Sequence, residues 1–291
     1  MKPASFDYYA PASVEEALDR LAELGYSGKV LAGGQSLIPA MNFRMAQPQA
    51  LVDINNLKEL DYIRLDADGS LRIGAITRDS EVENHPLVKE RAPIICEAMP
   101  HIAHPAIRNR GTFGGAMAHA DPAGQLPCCS LALGMRFLIR KKGSERWVDA
   151  DEFYMGPFST VIEPDELLVE MAIPAPLPHS GSCYRQVSRQ QGSQVQVGAA
   201  VMLALADNGT CKVANIAVLG VGERALLAKA ASASLVGHSL SDAAFHSASE
   251  IVAGKEIDPG TDIHATQEYR EHVTQVLVMR ALSEALKGAR R

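Results

Sequence analysis

At 291 residues the chain is long enough for about two domains and a sizeable buried core. With 47% hydrophobic and 21% charged residues, 23 Gly and 16 Pro, its composition argues against disordered, collagen-like and coiled-coil classes. Lys and Arg number 28 against 34 Asp and Glu, a net charge of −6, and no basic run exceeds Arg140-Lys141-Lys142, so a broad nucleic-acid footprint is not expected.

The first segment, residues 1–13, lacks an apolar core of signal-peptide length. A helix follows. Ser13 and Glu16 have capping-box spacing, Val14, Ala17, Leu18, Leu21 and Leu24 recur at helical intervals, and Gly25 stops the run. Lys29-Val30-Leu31 reads as a strand, residues 32–36 as a small-residue loop, 38–45 as a helix and 51–54 as a strand, together a β-α-β unit. From Asp61 the period changes to that of a hairpin, with 62–65 and 71–74 flanking Asp66-Ala67-Asp68-Gly69. Helical stretches around Ser80 and Ile94 lead into a glycine-rich segment, 110–124. A second hairpin flanks residues 141–146, and 167–173 reads as a closing strand.

Pro174, Pro176 and Pro178 interrupt regular structure and mark a domain boundary. Beyond it come three strands, 183–188, 195–205 and 212–219, the last two joined by Asp207-Asn208-Gly209, and then helices. The last helix offers Val273, Val276, Leu277, Ala281, Leu282 and Ala285 as its packing face. No stretch approaches the ~18–20 apolar residues that span a membrane, and a cytoplasmic location is expected.

Two glycine-containing loops stand out. Ala32-Gly33-Gly34-Gln35-Ser36 lies between a strand and a helix, where consecutive amides can turn toward an anion without obstruction from Cβ atoms, although a tight turn would also recruit Gly-Gly. Gly111-Thr112-Phe113-Gly114-Gly115-Ala116 repeats the pattern, and two such loops suit the pyrophosphate of a dinucleotide. Neither matches GxxxxGK[ST]. Gly220-Val221-Gly222-Glu223-Arg224-Ala225 mimics a Rossmann fingerprint, but Glu223 would oppose a pyrophosphate, so a plain strand-to-helix turn is expected. His101 and His104 are bracketed by prolines, His119 and Asp121 have no fixed relation in a loop, and HExxH and GxSxG are missing. The five cysteines, Cys96, Cys128, Cys129, Cys183 and Cys211, contain no CxxC and read as buried free thiols, too few and too scattered for a cluster of about four thiolates.

Residues 32–48 (AGGQSLIPAMNFRMAQP), 51–60 (LVDINNLKEL), 102–127 (IAHPAIRNRGTFGGAMAHADPAGQLP) and 163–174 (EPDELLVEMAIP) resemble, in order, the medium, FAD-binding subunits of molybdenum hydroxylases, the xanthine dehydrogenase and aerobic carbon monoxide dehydrogenase group. The resemblance runs from Phe6 to the final helix. It implies an α+β architecture: a PCMH-type, vanillyl-alcohol oxidase-like FAD-binding domain over 1–177, with subdomains of about 1–57 and 58–177, then a C-terminal domain over 178–291 with a three-stranded antiparallel sheet and a helical bundle. By similarity, FAD is held by Ala32, Gly33, Gly34, Gln35 and Ser36 with Lys29, Leu31 and Leu37 flanking, and by Thr112, Phe113, Gly114, Gly115 and Ala116. Ile102, Gln125, Leu168 and Arg185 match positions near the cofactor. The sequence departs from the family at Gln125, where an acidic residue is usual, and at 189–195, where RRxGDFA or RRxGDYA is usual.

The resemblance implies an electron-transfer role without catalytic residues of its own. A partner large subunit would carry the molybdenum cofactor and a small subunit two 2Fe-2S clusters, the whole being a dimer of heterotrimers. Two alternatives stay open at the level of sequence: a stand-alone flavin oxidoreductase of the same fold, and a non-catalytic nucleotide-binding scaffold. The substrate and the final electron acceptor are not readable in this chain.

Overall fold

The computed structural model describes residues 2–291. Strand β1, Asp7–Tyr9, is followed by helix α1, Val14–Leu24, strand β2, Gly28–Leu31, helix α2, Leu37–Asn42, and strand β3, Ala50–Asp53. Ser13 Oγ accepts the Glu16 amide at 3.1 Å, Glu16 reaches back to the Ala12 amide at 2.8 Å, and Gly25 leaves the helix at φ 52°. The three strands form a parallel sheet in the order β1-β3-β2, Tyr8 facing Leu51 and Val30 facing Val52. Strand β1 is not readable from the sequence: three residues are too few to establish a period.

The second region contains β4 (Ile63–Leu65), β5 (Leu71–Gly74), and helices α3 (Asp79–Asn84), α4 (Pro86–Arg91), α5 (Pro93–Ala98), α6 (Pro105–Arg108), α7 (Phe113–His119) and α8 (Gln125–Leu133). It continues with β6 (Arg136–Lys141), β7 (Ser144–Asp149), α9 (Ala150–Phe153), β8 (Tyr154–Gly156), β9 (Ser159–Thr160) and β10 (Leu167–Ile173). The antiparallel sheet β4-β5-β10-β6-β7 places the last strand in the middle, buried at every position. Its one charge, Glu170, is paired with Arg64 and Arg72 and receives the Tyr62 hydroxyl at 2.7 Å. Two expectations are corrected here. Residues 113–119 of the glycine-rich segment form a helix, because Thr112 caps α7, and the second hairpin turns tightly at Lys142-Gly143, with Gly143 at φ 76°.

The last region is a sheet of β11 (Ser180–Ser188), β12 (Val195–Leu205), β13 (Cys211–Leu219) and β14 (Leu226–Leu227), followed by α10 (Lys229–Leu235), α11 (Asp242–Ile251), a π turn at Val252–Glu256 and α12 (Gln267–Ala289). The two-residue β14 adds a fourth strand to the three expected. It also makes Gly220–Ala225 a strand-to-strand turn where a helix was expected to follow. Strand β12 is apolar on both faces: Val197, Ala199, Val201 and Leu203 join the core under α12, whereas Ala200 joins the core shared with α5 and α8. Gly181 permits that packing, since a Cβ there would lie 2.1 Å from Ala285 O on α12. Among the described residues no helix is long and apolar enough to cross a membrane.

Candidate functional site

Residues 32–36 leave β2 at the carboxyl end of a parallel sheet, where open sheets leave a crevice. The amides of Gly33, Gly34, Gln35, Ser36 and Leu37 find no acceptor among the described residues. Two carbonyls of the loop are engaged by side chains: Asn55 Nδ2 donates to Ala32 O at 2.6 Å, and Gln35 Nε2 donates to Gly33 O at 2.9 Å. A trans peptide points its C=O and N–H in opposite directions, so anchoring these carbonyls also aims the amides of Gly33 and Gly34. Gly34 has φ 72°, a conformation that favours glycine. Successive unpaired amides of this kind form an anion-binding concavity.

The second segment works differently from a loop of free amides. Phe113 N–H donates to Thr77 O at 2.9 Å, Gly114 to Ala75 O at 3.0 Å, Gly115 to Thr112 Oγ1 at 3.2 Å and Ala116 to Thr112 O at 3.0 Å. Its glycines serve close packing: a Cβ on Gly114 would lie 2.6 Å from Ala75 O, and one on Gly111 would lie 2.2 Å from Asp79 Oδ2. The expectation of two amide ribbons is therefore corrected. One loop presents amides and the other braces it.

The two segments touch. A Cβ on Gly33 would sit 2.3 Å from Arg110 O, and one on Gly115 would sit 3.8 Å from Ala32 Cβ. Arg78 lies between them, donating to Arg110 O at 2.6 Å and to Asn55 Oδ1 at 2.9 Å. A cleft of about 390 Å³ opens over Leu31, Gly33, Gln35, Ile38, Asn55 and Arg110, a volume within the range of about 300–1,000 Å³ usual for small-molecule sites.

The other expected residues fall into separate groups. Lys29 is exposed on β2; burial holds the nearby His119 imidazole below its ordinary pKa, with Asp121 opposing and the Lys29 ammonium adding to burial. Phe113 and Leu168 are core residues, 0% and 4% exposed, and present almost no surface. Ile102 is half-buried against the core, and Gln125 belongs to a second cluster where α8 meets β11, with His101 and Arg185 nearby. There Gln125 Nε2 donates to Gln186 Oε1 at 3.2 Å and Tyr184 O–H donates to the same oxygen at 2.7 Å. Gln186 Nε2 is buried and unpartnered, a free donor in this cluster. Burial, with Arg185 adding to it, lowers the pKa of His101, so both histidines near the two clusters are held toward the neutral form. The chain passes from one cluster to the other along α7, about 10 Å long at a rise of about 1.5 Å per residue, and the turn 121–124.

The acceptor-free amides and the glycine-lined junction fit a dinucleotide diphosphate, and the unpartnered Gln186 amide fits a polar group farther along it. Sequence reasoning overlooked Asn55, Arg78, Arg110 and Gln186. Of these only Asn55 carried a usable signal, its position just beyond a parallel strand on the crevice side.

Residues 4–176 match the family model described as "FAD binding domain in molybdopterin dehydrogenase", and residues 182–285 match "CO dehydrogenase flavoprotein C-terminal domain". The chain is 41% identical over 291 residues to the 6-hydroxypseudooxynicotine dehydrogenase complex subunit alpha of Paenarthrobacter nicotinovorans, covering 100% of this chain and 97% of the relative. Its structure is similar to a chain of carbon monoxide dehydrogenase from Hydrogenophaga pseudoflava, with TM-score 0.95, 36% identity and 99% of both chains covered. It is also similar to a chain of quinoline 2-oxidoreductase from Pseudomonas putida 86, with TM-score 0.92, 34% identity and 100% of both covered. The chain belongs to the family of FAD-binding subunits of molybdopterin dehydrogenases, the molybdenum hydroxylases that include carbon monoxide dehydrogenase.

Proposed function

We propose that this chain is the flavin-bearing electron-exit subunit of a molybdenum hydroxylase, with the FAD diphosphate on the amides of residues 33–37. The observation that carries the reading is the run of five acceptor-free amides braced by the glycine contact at Gly33. The relatives are named for different substrates, 6-hydroxypseudooxynicotine, carbon monoxide and quinoline, yet each resembles this chain along its whole length. A subunit common to such different reactions serves the step they share, and substrate recognition falls to a partner.

Residues 1–177 would hold the cofactor and 178–291 would close its far end. Bound FAD supplies an acceptor that takes electrons singly and releases them in pairs. The chain's own groups bind and orient: Asn55 and Gln35 fix the loop carbonyls, Thr112 caps the bracing helix, and the Gln125–Gln186 amide pair offers uncharged hydrogen bonding beside Arg185. The electrons would come from a small subunit with two 2Fe-2S clusters, fed by a large molybdenum-cofactor subunit, in a cytoplasmic dimer of heterotrimers. Five unpaired cysteines agree with a reducing compartment. Gentle isolation from the native host should yield about one FAD per copy of this chain, with molybdenum and iron in two further subunits, and substrate should bleach the flavin only when the cluster subunit is present. A flavin-free chain isolated alone would contradict the reading.

A further inference from the structure

We infer that Arg78 and Asn55 form a strut that holds the diphosphate-binding loop in its donating conformation, making both of them positioning residues for FAD. The inference rests on the flavin reading above. Asn55 follows β3, and Arg78 precedes α3 in the neighbouring region, so the pair bridges the parallel and the antiparallel sheets. The bonds run in series: Arg78 grips Arg110 O and Asn55 Oδ1, and Asn55 Nδ2 grips Ala32 O. Asp53 steadies the near end, accepting the Asn55 amide at 2.9 Å and the Tyr8 hydroxyl at 2.6 Å.

The strut has a specific consequence. With the Ala32 carbonyl held by Asn55, the next N–H, that of Gly33, must point the opposite way. With the Arg110 carbonyl held by Arg78, the backbone against which Gly33 packs is fixed as well. Without the strut the Ala32–Gly33 peptide is free to rotate, and the amides would have to be reordered at the moment of binding, which lowers affinity. A planar guanidinium can address two acceptors at once, whereas an ammonium is a single point charge, so Arg78→Lys is not a conservative replacement here.

The test is FAD titration of the full chain, freed of flavin, followed by fluorescence quenching, alongside thermal unfolding of the apo form. Arg78→Ala should raise the FAD dissociation constant about tenfold or more while the apo unfolding temperature stays near wild type. Added guanidinium ion should restore most of the affinity, and Arg78→Lys should fall between the two. Asn55→Ala should match Arg78→Ala, and the double variant should be no worse than either single variant, because each breaks the same chain of bonds. Wild-type affinity in Arg78→Ala, additive losses in the double variant, or a loss that guanidinium cannot reverse would overturn the strut. If either single variant fails to fold, the other, with its apo unfolding temperature, decides. A wild-type chain that takes no FAD would sink the flavin reading itself, a result distinguishable from failure of the strut alone.

Discussion

Gly33 is the residue on which the site turns, because it lets one backbone lie directly on another. Gly33→Ala would drive a methyl to within 2.3 Å of Arg110 O, so the loops must separate. The expected outcome is loss of FAD affinity by at least tenfold with a lowered apo unfolding temperature, read by titration and thermal melts; unchanged binding would show that the contact is dispensable. Asp79, packed beneath Gly111, makes a second prediction. Burial pushes its carboxyl up to about 7, with Arg108 and Arg78 opposing and Glu83 assisting, and its Oδ1 has no partner. The folded state therefore holds this proton more tightly than the unfolded chain, whose carboxyl titrates near 3.8. Its contribution to stability is complete below about pH 4 and is lost as pH rises through about 7. Asp79→Asn keeps the neutral shape, so it should match wild type in acid and exceed it at pH 8 by at most about 4 kcal/mol, from about 1.4 kcal/mol per pKa unit. Equal stability of the two proteins at pH 8 would refute that. Glycine pairs made both loops visible in the sequence, but Asn55 and Arg78 act on carbonyls 23 and 32 residues away, a relation no local pattern encodes.

Among the elements, the parallel unit around β2, α2 and β3 was legible from apolar spacing and from the loop between, whereas α7 and α8 were hidden by glycines and by a proline within α8. Thr112 explains α7: its side chain caps the helix and tolerates Gly114 and Gly115 in the first turn, where close packing on Ala75 is worth more than helix propensity. Helix α12 was recognised with its face slightly misplaced. Val278 is core and Val276 only half-buried, and Arg270 at the helix start turns inward. Arg270 is 7% exposed and donates to Gln196 O at 2.7 Å, Gly220 O at 2.6 Å and Asp262 at 2.8 Å, tying α12 to β12 and to the Gly220–Ala225 turn. Arg270→Ala strands two carbonyls, at about 1–3 kcal/mol for each that stays buried, and leaves the Asp262 carboxylate to water, a loss visible as a lower urea midpoint. A shift of only a few tenths would mean that the arginine is not what fixes the helix.

For the whole molecule, the three larger sheets divide the work. The parallel sheet presents the amide loop, the antiparallel sheet braces it through Arg78 and α7, and the last sheet brings Gln186 up to Gln125. The prolines at 174, 176 and 178 fall in the connection between β10 and β11, but the contact between the last two sheets was not legible, since α8 packs on β12 and β13 through residues that in sequence look like an ordinary apolar run. The position of the diphosphate is decisive. A crystal or electron cryo-microscopy structure of the chain with FAD decides it directly. Phosphate oxygens should lie about 2.7–3.2 Å from at least three of the amide nitrogens of Gly33, Gly34, Gln35, Ser36 and Leu37, beside the Gly33–Arg110 contact. A diphosphate elsewhere on the chain, with those amides facing solvent alone, would contradict the account.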